Sequence, residues 1–162
     1  EDRKGQGLVL IHSCRENFGL PNLKKYIRFL FVDKEKERNA FDSYINHLKI
    51  KISDHESMVS SLSGGNQQRI LLALMPETPW LRLREHPTRG LDIESAAWVW
   101  SYLLTLSESG TSIIFSSSDL EELTTYSDQI AVCFSGRIID QFDVSEATVE
   151  ELGLLIGGVH QR

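Results

Sequence analysis

The stretch Leu62-Ser63-Gly64-Gly65-Asn66-Gln67-Gln68-Arg69 is where residue type and spacing could do chemistry. Ser63 can open a helix, its hydroxyl accepting a first-turn backbone N–H. Two glycines follow, and without side chains they let another group come close to the backbone. The N–H groups of a first helical turn have no intrahelical partner and lie at the positive end of the helix dipole. Such a start is an anion site suited to a phosphate. A bare Ser-Gly-Gly more often serves as a plain serine-capped helix with a loose first turn. The string by itself leaves both open.

The flanking pattern says what would hold this helix. After Pro21 comes a mixed basic and aromatic segment with Leu23, Tyr26, Ile27 and Leu30. Asp33 can cap a helix from Lys34 to about Leu48, whose Phe41, Tyr44, Ile45 and Leu48 recur at helical spacing and make one buried stripe. Residues 54–61 read as a polar loop. From Trp80 onward strand and helix alternate: a strand to about Glu85, a helix from about Ile93 to Ser109 capped by Asp92, and a strand at Ser112–Ser116. A helix from Asp119 to about Tyr126 precedes strands at Gln129–Phe134 and Arg137–Phe142, joined by a turn at Ser135-Gly136. Thr148 with Glu151 three residues on reads as a capping box for a last helix. Strands separated by helices of this length predict an α/β fold with parallel pairing. The closing hairpin predicts an antiparallel sheet edge.

Composition narrows the function classes. The chain has 162 residues, 41% hydrophobic and 25% charged, with a formal net charge of -6. That suffices for a domain with a core. No long basic run appears, which argues against nucleic acid as a partner. No apolar stretch is long enough to cross a bilayer as a helix, and no signal peptide is visible. The two cysteines, Cys14 and Cys133, lack metal-ligand spacing, which fits a reduced interior. The chain opens on Glu1-Asp2-Arg3 without an initiator Met, which suggests a segment of a longer protein.

The long glycine string resembles the signature motif of ABC ATPases, in the Asn-Gln-Gln form of simple-sugar importers. The resemblance extends on both sides. Glu1-Asp2-Arg3-Lys4, Gly7-Leu8-Val9-Leu10, Glu16-Asn17 and Leu20-Pro21-Asn22-Leu23 resemble the segment preceding the signature. Pro87-Thr88-Arg89-Gly90-Leu91-Asp92 resembles the D-loop, and Ser117-Ser118-Asp119-Leu120-Glu121-Glu122-Leu123 the switch region. Ser135-Gly136-Arg137-Ile138 is similar to the closing hairpin, and Ala147 to Gly153 to the ending of sugar and nucleoside import ATPases.

The resemblance implies a partial P-loop NTPase fold of ABC type: a helical subdomain, then parallel β/α units and a C-terminal β-hairpin. Residues 1–60 would hold the Q-loop-proximal segment and helical subdomain. Residues 61–162 would hold the signature helix, Walker B strand, D-loop, switch region and terminal hairpin. In such proteins two nucleotide-binding domains face each other, and ATP with Mg2+ is held between the P-loop of one and the signature of the other. Ser63, Gly64 and Gly65 would meet the γ-phosphate, with Asn66 and Gln67 at the edge of that contact. Gly90 and Asp92 would line the dimer seam. The implied partners are a P-loop-bearing nucleotide-binding domain and membrane permease subunits. The implied place is the cytoplasmic face of the cell membrane.

Four departures matter. No G-x-x-x-x-G-K-[ST] pattern occurs, so the lysine and N–H cradle for the phosphates are missing. A chain starting downstream of that loop explains this best, and such a chain is not expected to bind ATP tightly alone. Second, aligning Pro87-Thr88 puts Glu85 at the magnesium-associated aspartate position and His86 at that of the water-polarising glutamate. Imidazole can act as a base near neutral pH, but a weakened or lost hydrolytic site is the plainer account. The rival function is therefore a non-catalytic domain that only donates its signature. Third, Trp80-Leu81-Arg82-Leu83-Arg84 alternates apolar and basic, although a central parallel strand is normally apolar throughout. A buried unpaired arginine is costly, so either the arginine face is open or acidic partners meet it. Fourth, Ser118 stands at the switch-histidine position. Among the remaining candidates, His12, His47, His55 and His160 show no metal spacing, and Trp98 and Trp100 read as helix packing.

Overall fold

A computed structural model describes residues 7–75 and 80–158. The Glu1-Asp2-Arg3-Lys4 resemblance and His160 lie outside the described residues. Two compact units are present, one built from the described residues up to Arg82 together with Thr88–Ile113, the other from Leu83–Pro87 and Ile114 onward.

In the first unit, α1 (Cys14–Gly19) begins at a capping box absent from the expectations above: Ser13 Oγ accepts from the Glu16 N–H, and the Glu16 carboxylate accepts from the Ser13 N–H at 2.9 Å. A short α2 (Leu23–Tyr26) leads into a two-residue-per-strand hairpin, β1 (Ile27–Arg28) and β2 (Phe31–Val32). Asp33 then caps α3 (Lys34–His47) by accepting from Lys36 N at 3.0 Å. The expected stripe is present: Phe41 and Leu48 are fully buried, with Tyr44 and Ile45 packed beside them. Phe18 of α1 stacks on Phe41 with ring centroids 5.0 Å apart. These side chains form one core with Ile70 and Leu72 of α4 (Gly64–Ala73). Arg15 and Glu37 meet inside it, and Arg15 also donates to the Glu56 carboxylate at 2.6 Å. Burying apolar area supplies most of the stability of such a unit, and the buried Arg15 and Glu37 charges are accommodated because they are paired.

α5 (Ile93–Glu108) packs its Val99, Trp100 and Leu103 inward. Strands β3 (Leu81–Glu85) and β4 (Ser112–Ser116) pair with each other. Ser112 N donates to Trp80 O at 3.0 Å and His86 N to Ser116 O at 2.8 Å, so the register climbs in the same direction along both strands. The pairing is parallel, as expected for strands joined through a helix. The side chain of Arg82 in β3 does not lie open to solvent. Arg82 is only 2% exposed, and its guanidinium lies 5.9 Å from the Tyr102 ring centroid with Nη1 3.9 Å from Met75 Sδ. An aromatic face takes a cation well when water is excluded. Leu83 is on the outer side, 66% exposed.

In the second unit, α6 (Leu120–Tyr126) precedes the hairpin β5 (Gln129–Phe134) and β6 (Arg137–Asp143). Their antiparallel register runs from Gln129↔Asp143 to Phe134↔Arg137, with a bulge between Val132 and Cys133. Ser135 and Gly136 both take positive φ, 48° and 76°, the signature of the tight turn that matches strand twist. Among the described residues the hairpin is a separate two-stranded sheet, not the edge of one sheet shared with β3 and β4. Sharing needs a strand within about 4.8 Å in the bonding direction, and β4 and β5 are not hydrogen-bonded to each other. α7 (Val149–Ile156) covers the hairpin with Leu152 and Leu155 against Ile130 and Val132. Thr148 caps it by accepting from Glu151 N at 3.2 Å.

Candidate functional site: the glycine-rich helix start

Ser63 is exposed and extended, φ -60° and ψ 155°, and its Oγ accepts from Asn66 N, which makes it the N-cap of α4. The expected helix start is thus in place. The reason for the second glycine is legible only in the packing. A Cβ on Gly65 would stand 2.2 Å from Ser95 Oγ and 3.0 Å from Ser95 Cβ. The close approach at Gly65 is therefore made by the first turn of α5.

That contact ties the helix start to the D-loop-like segment. Leu91 N donates to Thr88 O at 3.1 Å, closing a turn whose third residue, Gly90, has φ 71°. A positive φ at that position favours glycine, and a side chain there would meet nothing within 4 Å, so the demand is on the backbone alone. Asp92 then caps α5, accepting from Ser95 N at 2.9 Å and from Ser95 Oγ at 2.8 Å. The Ser95 backbone N–H, then its hydroxyl, hold the Asp92 carboxyl below the usual carboxylate range. Ser95 therefore touches Gly65 on one side and Asp92 on the other. Ser95 is not among the sequence candidates, although Asp at the N-cap followed three residues on by Ser is a signal for it.

The side chains after the glycines turn to their own chain. Asn66 Oδ1 accepts from Lys51 N at 2.8 Å, and its Nδ2 lies 3.2 Å from Ser63 Oγ. Gln67 is 4% exposed, and its amide donates to Val59 O and Leu62 O at 3.1 and 3.3 Å. Gln67 thus fastens the loop that leads into the helix. Arg69, also passed over as a site residue, donates to Leu48 O and Lys49 O and lies 4.0 Å over the Trp98 ring. Burial lowers its pKa against the pull of Glu94 and Asp92. Trp98 stacks on Tyr102 in turn, 5.6 Å and nearly coplanar, so this tryptophan packs the helix as expected.

Glu85, His86 and Ser118 belong to the second unit. Glu85 is exposed at the end of β3, and Ser118 is exposed just before α6. His86 is half-buried with φ 45°, a left-handed backbone uncommon for a side chain of its size, held by its N–H bond to Ser116 O. Ser117 Oγ accepts from Asp119 N, and Asp119 caps α6. Among the described residues no three His, Cys, Asp or Glu side chains converge as metal ligands. Cys14 is buried with its thiol against Ser57 O, and burial pushes its pKa up to about 11, which marks it as inert. No helix among the described residues is long and apolar enough to cross a membrane.

No protein-family model matches the chain. Curated relatives do. The ribose import ATP-binding protein RbsA of Rhodopirellula baltica is 39% identical over 153 residues, covering 94% of this chain and 30% of that protein. The protein of the same name from Clostridium perfringens is 38% identical over 162 residues, covering 99% of this chain and 32% of that protein. The chain thus spans about a third of the length of these curated relatives. Among solved structures, a dimeric ATP-binding cassette in a post-hydrolysis state with ADP and phosphate superimposes with a TM-score of 0.69 at 22% identity, covering 86% of this chain and 60% of that one. At that identity the likeness speaks for the fold. Sequence and fold agree: the chain has the fold of an ABC-type ATP-binding cassette and is similar along nearly its whole length to sugar-import ATP-binding proteins.

Proposed function

We propose that this chain is the part of a sugar importer's ATP-binding subunit that presents its signature helix to a nucleotide held by a second, P-loop-bearing domain. The observation that carries this is the start of α4, where an exposed capping serine and two glycines precede a helix locked from behind by Gln67, Arg69 and Ser95. First-turn N–H groups are ready donors for a phosphate, and rigid support behind them lets binding proceed without ordering cost. Ser63, Gly64 and Gly65 would meet the γ-phosphate. Gly90 and Asp92 would follow the domain seam, and permease subunits would be the further partners at the inner face of the membrane. Asn66 and Gln67 would act by placing the helix rather than by touching the nucleotide.

Mg2+ is bound through one or two carboxylates plus substrate phosphates and water, without an all-protein cage. The exposed Glu85 carboxylate fits that role, with the phosphates supplying further oxygens. Bound Mg2+ would neutralise developing charge on the phosphates. His86, at the position of the family's glutamate, would orient water, and its fixed left-handed backbone suits a residue held in place for function. The second reading, a domain that donates its signature and hydrolyses nothing, is favoured by the identity of that residue, histidine in place of a carboxylate. Titrating MgATP into the chain by calorimetry, alone and with a P-loop-bearing partner domain, tests the proposal. Heat only in the partner's presence supports signature donation. Tight binding by the chain alone would falsify it. Substituting Glu85→Asp with His86→Glu in the full-length protein separates the two readings, since a gain in hydrolysis supports the non-catalytic one.

A further inference from the structure

The β1–β2 hairpin takes no part in the nucleotide reading, and it gathers exposed apolar residues next to basic ones. Its tip carries Phe29, Leu30 and Phe31, which are 91%, 92% and 79% exposed, with Ile27 and Val32 beside them also in water. Among the described residues its strands pair only with each other, Ile27↔Val32 and Arg28↔Phe31. Phe29 sits at φ 58°, a left-handed conformation that bulky residues rarely accept. Glycine would make that turn without strain, so the phenylalanine is retained against local backbone preference. An aromatic and aliphatic tip fully in solvent, at a strained position, needs something to cover it.

The surroundings say what. Lys24, Lys25 and Arg28 are exposed around the base of the tip, and Lys36 reaches back to donate to Lys25 O at 2.9 Å. Between Leu23 and Arg38 there are six basic residues and three acidic ones, and one of the acidic ones, Glu37, is buried with Arg15. This stands out in a chain whose net charge is -6. A convex apolar tip inside a cationic collar is complementary to an anionic bilayer: the rings enter the headgroup boundary while lysine and arginine heads stay at the charged surface. A second copy of the chain is disfavoured, because two such collars repel. We propose that residues 24–32 dock this protein directly onto an anionic lipid surface, a contact that goes beyond the nucleotide role and does not depend on it.

The test is co-sedimentation of the 162-residue chain with vesicles of phosphatidylglycerol mixed into phosphatidylcholine, against phosphatidylcholine alone. Retention is expected on the anionic vesicles only, and it should weaken as salt is raised. Each cation reversed among Lys24, Lys25 and Arg28 is expected to lower affinity by roughly fivefold or more. Phe29→Gly is the discriminating variant: it relieves the left-handed strain, so its urea midpoint should rise while vesicle retention falls. A Phe29→Gly protein that is more stable and still fully retained overturns the proposal. So does equal retention on both vesicle types, or none on either, in which case the hairpin faces a protein.

Discussion

Replacing Gly65 with alanine is expected to destabilise the chain, although alanine is the better helix former. The new methyl would lie 2.2 Å from Ser95 Oγ and 3.0 Å from Ser95 Cβ. The hydroxyl could rotate away only by leaving Asp92 Oδ2, to which it donates at 2.8 Å, and the Cβ cannot rotate at all. Overpacking of this kind costs about 1–3 kcal/mol, against which the gain in helix propensity offsets at most about 1 kcal/mol. With two Ser95 atoms in the way the upper part of that range applies, and the net loss of about 1–2 kcal/mol lowers the melting temperature by roughly 2–8 °C. Ser95→Ala removes the nearer conflict and leaves the Cβ, so it should rescue only partly, whereas Ser95→Gly removes both. Urea unfolding of the two single variants and the double variant forms a cycle, with an expected coupling of about 1 kcal/mol or more. The same double variant should regain partner-dependent nucleotide capture, because the Gly65 Cβ direction points at α5. A neutral or stabilising Gly65→Ala, or coupling below about 0.5 kcal/mol, refutes the packing argument. A stable double variant that captures no nucleotide would show that the phosphate itself requires the glycine.

Other outcomes follow from the same geometry. Arg15→Ala leaves the Glu37 carboxylate buried without its cation and should cost about 3–5 kcal/mol in urea unfolding, whereas Glu56→Gln, at the exposed end of the network, should cost far less. Of the two cysteines, Cys133 is exposed and Cys14 is buried with its pKa raised to about 11. A thiol reagent near pH 8 should therefore label one residue in the folded chain and both in urea, and rapid labelling of both while folded would contradict the buried assignment. The Ser13 backbone N–H, first among its causes, depresses the Glu16 pKa, and Arg15 does the same for Glu56. Depressed carboxylates contribute stability above their unfolded pKa, near 4.3, and lose it as pH falls through the folded value. The urea midpoint should hold near neutrality and drop below about pH 4, with a smaller drop in Glu16→Gln. Gly90→Ala meets no steric obstacle, so it should cost only the backbone strain of a left-handed alanine, about 1–2 kcal/mol.

What the sequence determined by itself was local. Helical spacing placed Phe41 and Leu48 inside, oxygen-bearing side chains at Asp33, Ser63, Asp92 and Thr148 started helices where they should, and Ser135-Gly136 turned the last hairpin. Each depends on neighbours within a turn or two along the chain, so residue order suffices to state it. The ordered motifs likewise carried the resemblance to ABC ATPases, since they register without coordinates. What only the tertiary structure decided involves residues far apart in sequence. Gly65 is kept small by Ser95, thirty positions on, and Gln67 and Arg69 turn away from the helix start to hold Val59 O and Leu48 O. Arg82 is buried in β3 with its guanidinium near the Tyr102 ring, while Leu83 faces water. The hydrophobic pattern alone would have assigned the two faces the other way. Pattern records each side chain's own preference for water, but burial is settled by which partner arrives from a distant element, and that is a property of the packed chain.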